Sequence, residues 1–330
     1  MFKKKVILSY DYELFFGDRS GTVQKSLIEP TNLLLDTMDA VGFKGNFFID
    51  WQMLKYMKEE NTERTLADYY LIVEQIKDII RRGHRIELHI HPHWVDAKYN
   101  GDGTWNYSDF RHYSLNSFSE HEIIAMFKEG SELLTSIARE VEPNYHLCAF
   151  RAGGWAVQPF TAIKNGLQEV GITIDSSVMP GIKLECDNSN CDFLNTPVVK
   201  CGYYHFEDDV TVEVADGSFI EVPISLAKTG SLYFLVNKLN AMMKVQYLCE
   251  TDGTHLRAND APSKWTQPKN TSICTFSNRV PLAPMLFALQ SKTDLMCFID
   301  HPKDLSSWTI LGIRNLAKVA KNILYKDLLK

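Results

Sequence analysis

The sequence predicts an α/β fold in which parallel β-strands are covered by helices. Short apolar segments alternate with amphipathic segments along most of the 330 residues, a pattern typical of repeated β–α units. Polar residues follow the ends of several of the predicted strands. The length allows about two domains of ~150 residues each, or one large α/β barrel. The pattern alone leaves open whether the sheet is open or closed into a barrel.

Each predicted element has a local signal. Gly42 and Gly83 end the helices that precede them, and Ser119 and Glu122 form a possible capping box. The predicted strands are Lys5–Tyr10, Asn46–Asp50, Arg85–His89, His146–Phe150, Ile172–Ile174 and Met296–Ile299. The predicted helices are Pro30–Val41, Leu66–Arg82, a helix from Ser119 to about Arg139, Pro159–Val170 and the basic segment Leu311–Leu329.

Two stretches interrupt the alternation. Residues 94–118 are too long for an ordinary connection between a strand and a helix. Residues 180–290 contain an alternating hairpin pattern, Val210–Val214 and Phe219–Val222, followed by poorly patterned sequence. We interpret both stretches as insertions that frame a functional site.

Composition and charge limit the class of protein. The 35 Lys and Arg residues against 41 Asp and Glu give a net charge of −6, which argues against nucleic-acid binding. No apolar stretch reaches the ~20 residues of a transmembrane helix, and the N-terminal region lacks the pattern of a signal peptide. Seven cysteines at irregular spacings suggest reduced thiols. We therefore expect a cytoplasmic protein without a transmembrane segment.

Three histidines, His89, His91 and His93, follow one another at the end of a predicted strand. Imidazole is a common ligand of transition metals, so this cluster predicts a metal site. If the chain stays extended, all three rings share one face. If it turns after Leu88, as Pro92 suggests, His89 and His93 converge and His91 points elsewhere.

A second cluster lies at the end of the first strand. Asp11 and Glu13 point to the same side of an extended chain, and ligands of parallel α/β folds gather at the carboxyl ends of the strands. One carboxylate beside two imidazoles is typical of a catalytic zinc site, which leaves the other carboxylate free to act as a base. Arg151, Asp175 and His301 also follow predicted strands, so we expect them at the same edge of the sheet.

These motifs resemble those of the polysaccharide deacetylases of carbohydrate esterase family 4, the NodB-type deacetylases. Ser9-Tyr10-Asp11-Tyr12-Glu13 is similar to the family's first motif, and Gly83-His84 through His93 is similar to the second. Phe150-Arg151-Ala152-Gly153-Gly154-Trp155 resembles the third motif, Asp175 with its neighbours the fourth, and His301 the fifth. The motifs occur in the family's order over nearly the whole chain.

The resemblance implies an irregular (β/α)7-type barrel, one domain over residues 1–330 that is enlarged by the two insertions. It implies removal of an N-acetyl or other acyl group from an amino sugar, with a divalent metal, usually zinc, as the cofactor. Glu13, His89 and His93 would bind the metal. Asp11 would be the catalytic base oriented by Arg151, and His301, held by Asp175, would protonate the leaving amine. The acylated saccharide would contact residues near the third motif and the histidine cluster, namely Gly154, Trp155, His91 and Trp94.

The first motif departs from the family pattern. Tyr12 stands where the family has its metal-binding Asp, so Glu13 would reach the metal from the next position. If Asp11 binds the metal instead, the base is Glu13 or is missing. Ile90 and the additional His91 also differ from the family's second motif. These departures put the choice of substrate in question more than the metal site.

Two other functions are compatible with the same residues. Related seven-stranded barrels include glycoside hydrolases, which use paired carboxylates, and a saccharide-binding relative could keep the barrel without catalysis. Aromatic residues in the predicted loops, such as Tyr99, Trp105 and Tyr107, suit stacking on sugar rings. A cytoplasmic location would favour a nucleotide- or lipid-linked sugar precursor. The sequence does not indicate the oligomeric state.

Overall fold

The computed structural model describes residues 3–17, 19–186, 189–242, 251–255 and 263–329. The strands, in chain order, are β1 (Lys4–Tyr12), β2 (Asn46–Asp50), β3 (Arg85–Ile90), β4 (Lys98–Tyr99), β5 (Trp105–Asn106), β6 (Ala149–Ala152), β7 (Ile174–Asp175), β8 (Lys183–Cys186), β9 (Ser189–Asp192), β10 (Tyr204–Phe206), β11 (Phe219–Glu221), β12 (Leu226–Lys228), β13 (Ser263–Thr266), β14 (Thr271–Ile273), β15 (Leu295–Asp300) and β16 (Ala320–Asn322). The α-helices are α1 (Glu29–Ala40), α2 (Trp51–Glu60), α3 (Glu63–Arg81), α4 (Glu120–Arg139), α5 (Thr161–Val170), α6 (Ser231–Met242), α7 (Ala283–Gln290) and α8 (Ser307–Leu316).

The main sheet has the predicted parallel character. Its order is β10-β11-β7-β6-β3-β2-β1-β15, with β16 paired to the first residues of β1. All neighbouring strands in it run parallel except β10 and β11, which pair antiparallel. An isolated parallel bridge between Ile224 and Cys297 joins the segment after β11 to β15, at the opposite end of the sheet. The predicted α/β class with a curled, barrel-like parallel sheet is confirmed.

The strands are almost continuously buried because helices and loops cover the sheet. Every residue of β2, β3 and β15 is buried, as is β1 from Val6 onward. Parallel strands covered on both faces have this pattern, in contrast to the in–out alternation of a half-exposed sheet. The sheet therefore forms a rigid frame for the polar residues at its carboxyl edge.

The register of the sheet brings the predicted site residues to one edge. Asp50 of β2 is level with His89 of β3, and His89 is level with Arg151 of β6. On the other side, Tyr10 of β1 is level with Asp300 of β15, so the next residues, Asp11 and His301, are neighbours across the two strands.

The helix boundaries follow the predicted signals closely in the first half of the chain. Helix α4 begins after Ser119, where Ser119 and Glu122 form the predicted capping box. Thr62 and Thr65 form another capping box at the start of α3. Side chains that satisfy the free N–H groups of the first turn fix where a helix begins.

Two element predictions are wrong. The segment Val210–Val214 is not a strand, because Phe219–Glu221 pairs instead with Tyr204–Phe206 and, on its other side, with β7. The predicted helix Leu311–Leu329 ends at Leu316, and the chain then adds β16 to β1. In both cases pairing with a distant strand replaces the structure that the local pattern indicated.

The predicted insertions have different structures. Residues 94–118 carry the small β4–β5 pair and irregular turns. The stretch 180–290 contributes β10 and β11 to the main sheet, so it is more than an insertion. It also contains two small sheets, while residues 187–188, 243–250 and 256–262 within it lie outside the described residues. In the described ranges, none of the helices has the length and apolar character needed to cross a membrane.

Candidate active site

Asp11 is held by a buried arginine. The Nη1 group of Arg151 donates to Asp11 Oδ1 over 2.5 Å, and its other donors bind Ser9 Oγ and the Ser176 carbonyl oxygen over 2.8 and 2.7 Å. Tyr325 Oη lies 3.4 Å from Arg151 Nη2. Arg151 is fully buried, so its guanidinium depends on these partners for its orientation. The predicted pairing of Arg151 with Asp11 is therefore present in the structure.

His301 lies on the open side of this pair. Its Nε2 atom is 3.8 Å from Asp11 Oδ2 and 3.6 Å from Glu13 Oε1. The side chain of His301 is 26% exposed, against 7% for those of Asp11 and Glu13, so it is the member of the group that a substrate can reach. Burial, together with the nearby Lys303 charge, holds the pKa of His301 below its usual value.

Glu13 and His89 form a second pair just beyond Asp11. Glu13 Oε2 is 3.3 Å from His89 Nε2, and His89 Nδ1 donates to the Arg151 carbonyl oxygen over 2.8 Å. A ligand histidine commonly donates its second ring N–H to a carbonyl in this way. Burial alone would lower the pKa of His89, but the bond to Glu13 and the charge of Asp11 raise it to about 9.

The side chain of His93 pairs with His91, whereas His89 was its expected neighbour. It pairs with His91 through their Nδ1 atoms, which are 2.9 Å apart, and its Nε2 is buried without a partner among the described residues. The ring of Phe16 packs on both imidazoles, with centroids 4.2 Å apart in each case. Burial lowers the pKa of His91 to about 3, so both rings are neutral and one can accept from the other. Neither of the two geometries considered for this cluster is the one adopted.

Trp94, expected to contact the saccharide, lies in the core. Its side chain is buried, and its Nε1 donates over 2.6 Å to Asp50 Oδ2. Burial raises the pKa of Asp50 to about 8, although the charge of His89 opposes this shift. Asp50 ends β2 next to His89, and sequence reasoning missed it, although it lies at the carboxyl end of a strand as the other candidates do.

Asp175 is also placed differently from the expectation. Its carboxylate accepts from the Ser177 hydroxyl and the Ser177 N–H over 2.8 and 3.1 Å, and it lies beside the buried Glu221. His301 instead has Asp304 within 3.6 Å of its Nδ1. In the described part of the chain, the carboxylate near His301 Nδ1 is therefore that of Asp304, and Asp175 has other partners.

Gly153 and Gly154 allow the rings of His91 and Tyr113 to pack against the backbone. A Cβ atom at Gly153 would lie 2.6 Å from the His91 ring, and one at Gly154 would lie 2.6 Å from the Tyr113 ring. Gly154 also has a φ of 58°, a conformation that favours glycine. Trp155 is partly exposed and lies against Trp265, with ring centroids 6.0 Å apart. The glycines thus serve packing here, and contact of Gly154 and Trp155 with a saccharide stays a prediction.

Lys303 enters the site from the turn after β15. Its Nζ atom donates to Glu13 Oε1 and to the Leu14 carbonyl oxygen, each over 2.8 Å, and its side chain is buried. Sequence reasoning missed this residue. The lysine stands 290 positions from its carboxylate partner, and no local pattern signals such a contact.

One group of described residues could offer ligands to a metal ion: Asp300, His301 and Asp304, whose donor atoms lie within 4.8 Å of one another. Asp300 Oδ2 already accepts from the backbone N–H groups of Phe276 and Ser277 over 2.8 Å each. Asp304 Oδ1 is 2.6 Å from His255 Nε2. This group differs from the predicted set of Glu13, His89 and His93.

No family model and no curated protein matches this chain. Among solved structures, a 4-alpha-glucanotransferase from Thermococcus litoralis matches with a TM-score of 0.53 and 12% identity. The match covers all of this chain and 40% of the glucanotransferase.

Two further structures match at lower TM-scores. A protein assigned as a polysaccharide deacetylase from Mycobacterium smegmatis has a TM-score of 0.41 and 16% identity, with 96% of this chain and 82% of that chain covered. A family 4 carbohydrate esterase from Streptomyces lividans, in complex with acetate, has a TM-score of 0.40 and 8% identity over 96% and 87% of the two chains. At these identities the match to the glucanotransferase shows a shared fold.

Proposed function

We propose that this chain is a hydrolase that removes an acyl group, most simply acetyl, from the nitrogen of an amino sugar. The observation that carries the proposal is the arrangement of Asp11, Arg151 and His301 at the carboxyl edge of the sheet. A fixed carboxylate with a reachable imidazole beside it can take a proton from water and return it to a leaving nitrogen. The order of the motifs supports the same chemistry.

The proposed reaction has a balanced path for its proton. Arg151 occupies Asp11 Oδ1, so Oδ2 is free to accept a proton from water as the hydroxide adds to the acyl carbon. The proton passes to neutral His301, whose Nε2 is 3.8 Å away, and then to the nitrogen as the carbon–nitrogen bond breaks. Hydrogen bonds of this kind commonly tighten when the substrate is bound. The products are the free amine and the carboxylic acid.

A divalent metal at Glu13, His89 and His93, with zinc as the expected ion, stays a prediction from the sequence. His89 is oriented as a ligand would be, but His93 is bound to His91, and Glu13 is bound to Lys303. As arranged, these residues do not fit a metal ion together. The proton path above therefore uses only groups of the chain.

One observation favours glycoside cleavage as a second candidate. Asp11 and Glu13 both approach the same atom of His301, so two carboxyl groups share one face of the site. Glycosidases use such a pair, one as the acid and the other as the base or nucleophile.

Deacetylation, glycoside cleavage and binding without catalysis can be distinguished with a panel of N-acetylated saccharides. The panel includes nucleotide-linked precursors of the kind that a cytoplasmic enzyme would meet. We expect free acetate from an intact saccharide, measured by an enzyme-coupled assay, while the reducing ends stay constant in number. New reducing ends without acetate would assign glycoside cleavage. Binding measured by calorimetry without either product would assign a non-catalytic saccharide-binding protein.

A further inference from the structure

Lys303 is a buried cation with a fixed partner. Its side chain is 2% exposed, and its Nζ atom contacts Glu13 Oε1 and the Leu14 carbonyl oxygen at 2.8 Å. The rings of Phe15 and Phe16 lie 5.5 and 5.4 Å from the ammonium. An ammonium this far from water needs a charged partner, and the partner here is the carboxylate predicted to bind a metal.

The second oxygen of Glu13 is also engaged. Glu13 Oε2 lies 3.3 Å from His89 Nε2, so the carboxylate is bound on both sides by groups of the chain. A divalent ion on Glu13 would have to lie close to the Lys303 ammonium, and two cations near one carboxylate in a buried site repel each other strongly.

His93, the expected third ligand, is also engaged by other side chains. His93 is bound to His91 and packed against the ring of Phe16. The glycine at position 153 allows this packing, since any Cβ there would overlap the His91 ring at 2.6 Å. His93, like Glu13, is therefore engaged by other side chains of the chain.

We propose that the ammonium of Lys303 takes the place of a metal ion at Glu13, and that acyl transfer at Asp11 and His301 needs no divalent metal. Lys303 is then a positioning residue, which acts by holding Glu13 beside His89 and His301. The part of this proposal that concerns activity rests on the proposed function. The part that concerns metal binding can be tested without it.

The first test measures zinc in the wild-type protein. After exposure to zinc and dialysis, elemental analysis should find far less than one zinc ion per chain, and added zinc should not raise the thermal midpoint. Acetate release should survive treatment with a chelator. About one zinc per chain that is lost on Glu13→Gln substitution would overturn the proposal, as would activity that disappears with the chelator and returns with zinc. Zinc that remains bound to the Glu13→Gln variant occupies a site other than Glu13. If acetate release also resists the chelator, this result supports the proposal.

The second test changes the cation. Lys303→Met should lower the thermal midpoint and gain zinc binding that Glu13→Gln in the same background removes. Lys303→Arg keeps the charge, so it should bind no more zinc than wild type and retain more activity than Lys303→Met. If Lys303→Met does not fold, the wild type and Lys303→Arg still decide the question by zinc content. Absence of acetate release in every variant would contradict the proposed function. The zinc content of the variants would then still test whether Lys303 takes the place of a metal ion at Glu13.

Discussion

Asp11 has two roles in the site, because it pairs with Arg151 and also faces His301. The carboxylate balances a guanidinium that has no access to water, and its free oxygen faces His301. Removing one partner of a buried ion pair leaves the other charge uncompensated. A change at Asp11 should therefore affect both activity and stability, and the two effects need separate measurements.

Asp11→Asn should keep the fold and lose turnover. The amide cannot accept the proton of water, so we expect kcat to fall by about 10²–10⁴-fold, the usual contribution of general base catalysis. The thermal midpoint should also fall, since Arg151 loses its charged partner. Acetate release and circular dichroism at the same protein concentration measure the two effects. Asp216→Asn, in an exposed turn, is the matched control and should behave as wild type. Full activity in Asp11→Asn would exclude Asp11 as the base.

The residues of the site were predictable where they follow strands. Asp11, Glu13, His89, Arg151 and His301 meet at the carboxyl edge because strand ends converge there whatever the loops do. Lys303 and the pairing of His91 with His93 were not predictable, because they depend on the path of a turn and on the packing of Phe16. Trp94 was expected to contact the saccharide, whereas its indole N–H donates to the buried Asp50.

At the scale of elements, the packing of α2 against α4 depends on a glycine. A Cβ atom at Gly130 of α4 would lie 2.7 Å from two ring atoms of Trp51, the first residue of α2. Trp51 is 1% exposed, so its ring is part of the buried packing between the two helices. The helix therefore carries a residue of low helix propensity in order to let the two helices approach.

Gly130→Ala should destabilise the protein. Alanine favours the helix by ~1 kcal/mol, but an extra methyl group in a filled core costs about 1–3 kcal/mol. We expect a net loss of about 1 kcal/mol in the free energy of unfolding, measured with urea. Gly230→Ala is the control, since among the described residues no atom beyond its chain neighbours lies within 4 Å of its Cβ position. A Gly130→Ala variant as stable as wild type would show that Trp51 can move.

The elements that the sequence predicted well are those fixed by local contacts. Helix α4 begins at its capping box, and β2 spans the predicted residues Asn46–Asp50. The segment after Leu316 was predicted as helix because its apolar spacing continues, but its backbone pairs with β1. Backbone hydrogen bonds to a distant strand produce no periodic pattern in the local sequence. The local sequence therefore could not indicate that this segment pairs with β1.

At the scale of the whole molecule, His84 joins three parts of the fold. It lies just before β3, accepts from the Gly45 N–H at the start of β2 over 2.9 Å, and approaches Asp39 of α1 at 3.1 Å. Burial, with the charge of Lys44, lowers the pKa of His84 to about 4. The neutral ring is the form that the fold requires, because its Nδ1 must accept a hydrogen bond.

Stability should therefore fall as the pH falls. Between the unfolded pKa of about 6.5 and the folded pKa of about 4, the unfolded chain binds the extra proton at His84, so acid favours unfolding. We expect a loss of about 2 kcal/mol from this group between pH 7 and pH 5. Urea unfolding at the two pH values measures it, and His84→Asn should remove most of the difference. His146→Gln, on the surface, should keep it. An unchanged pH dependence in His84→Asn would contradict this role.

The position of β1 sets when the site can exist during protein synthesis. β1 emerges from the ribosome before the other strands described, yet its partners β15 and β16 come from near the other end of the chain. Until they are translated, one edge of β1 is open to pairing with other nascent chains. His301, Lys303 and Tyr325 arrive in the same late segment. A translation product that stops before β15 therefore has Asp11 and Arg151 but no complete site, and its open strand edge favours aggregation.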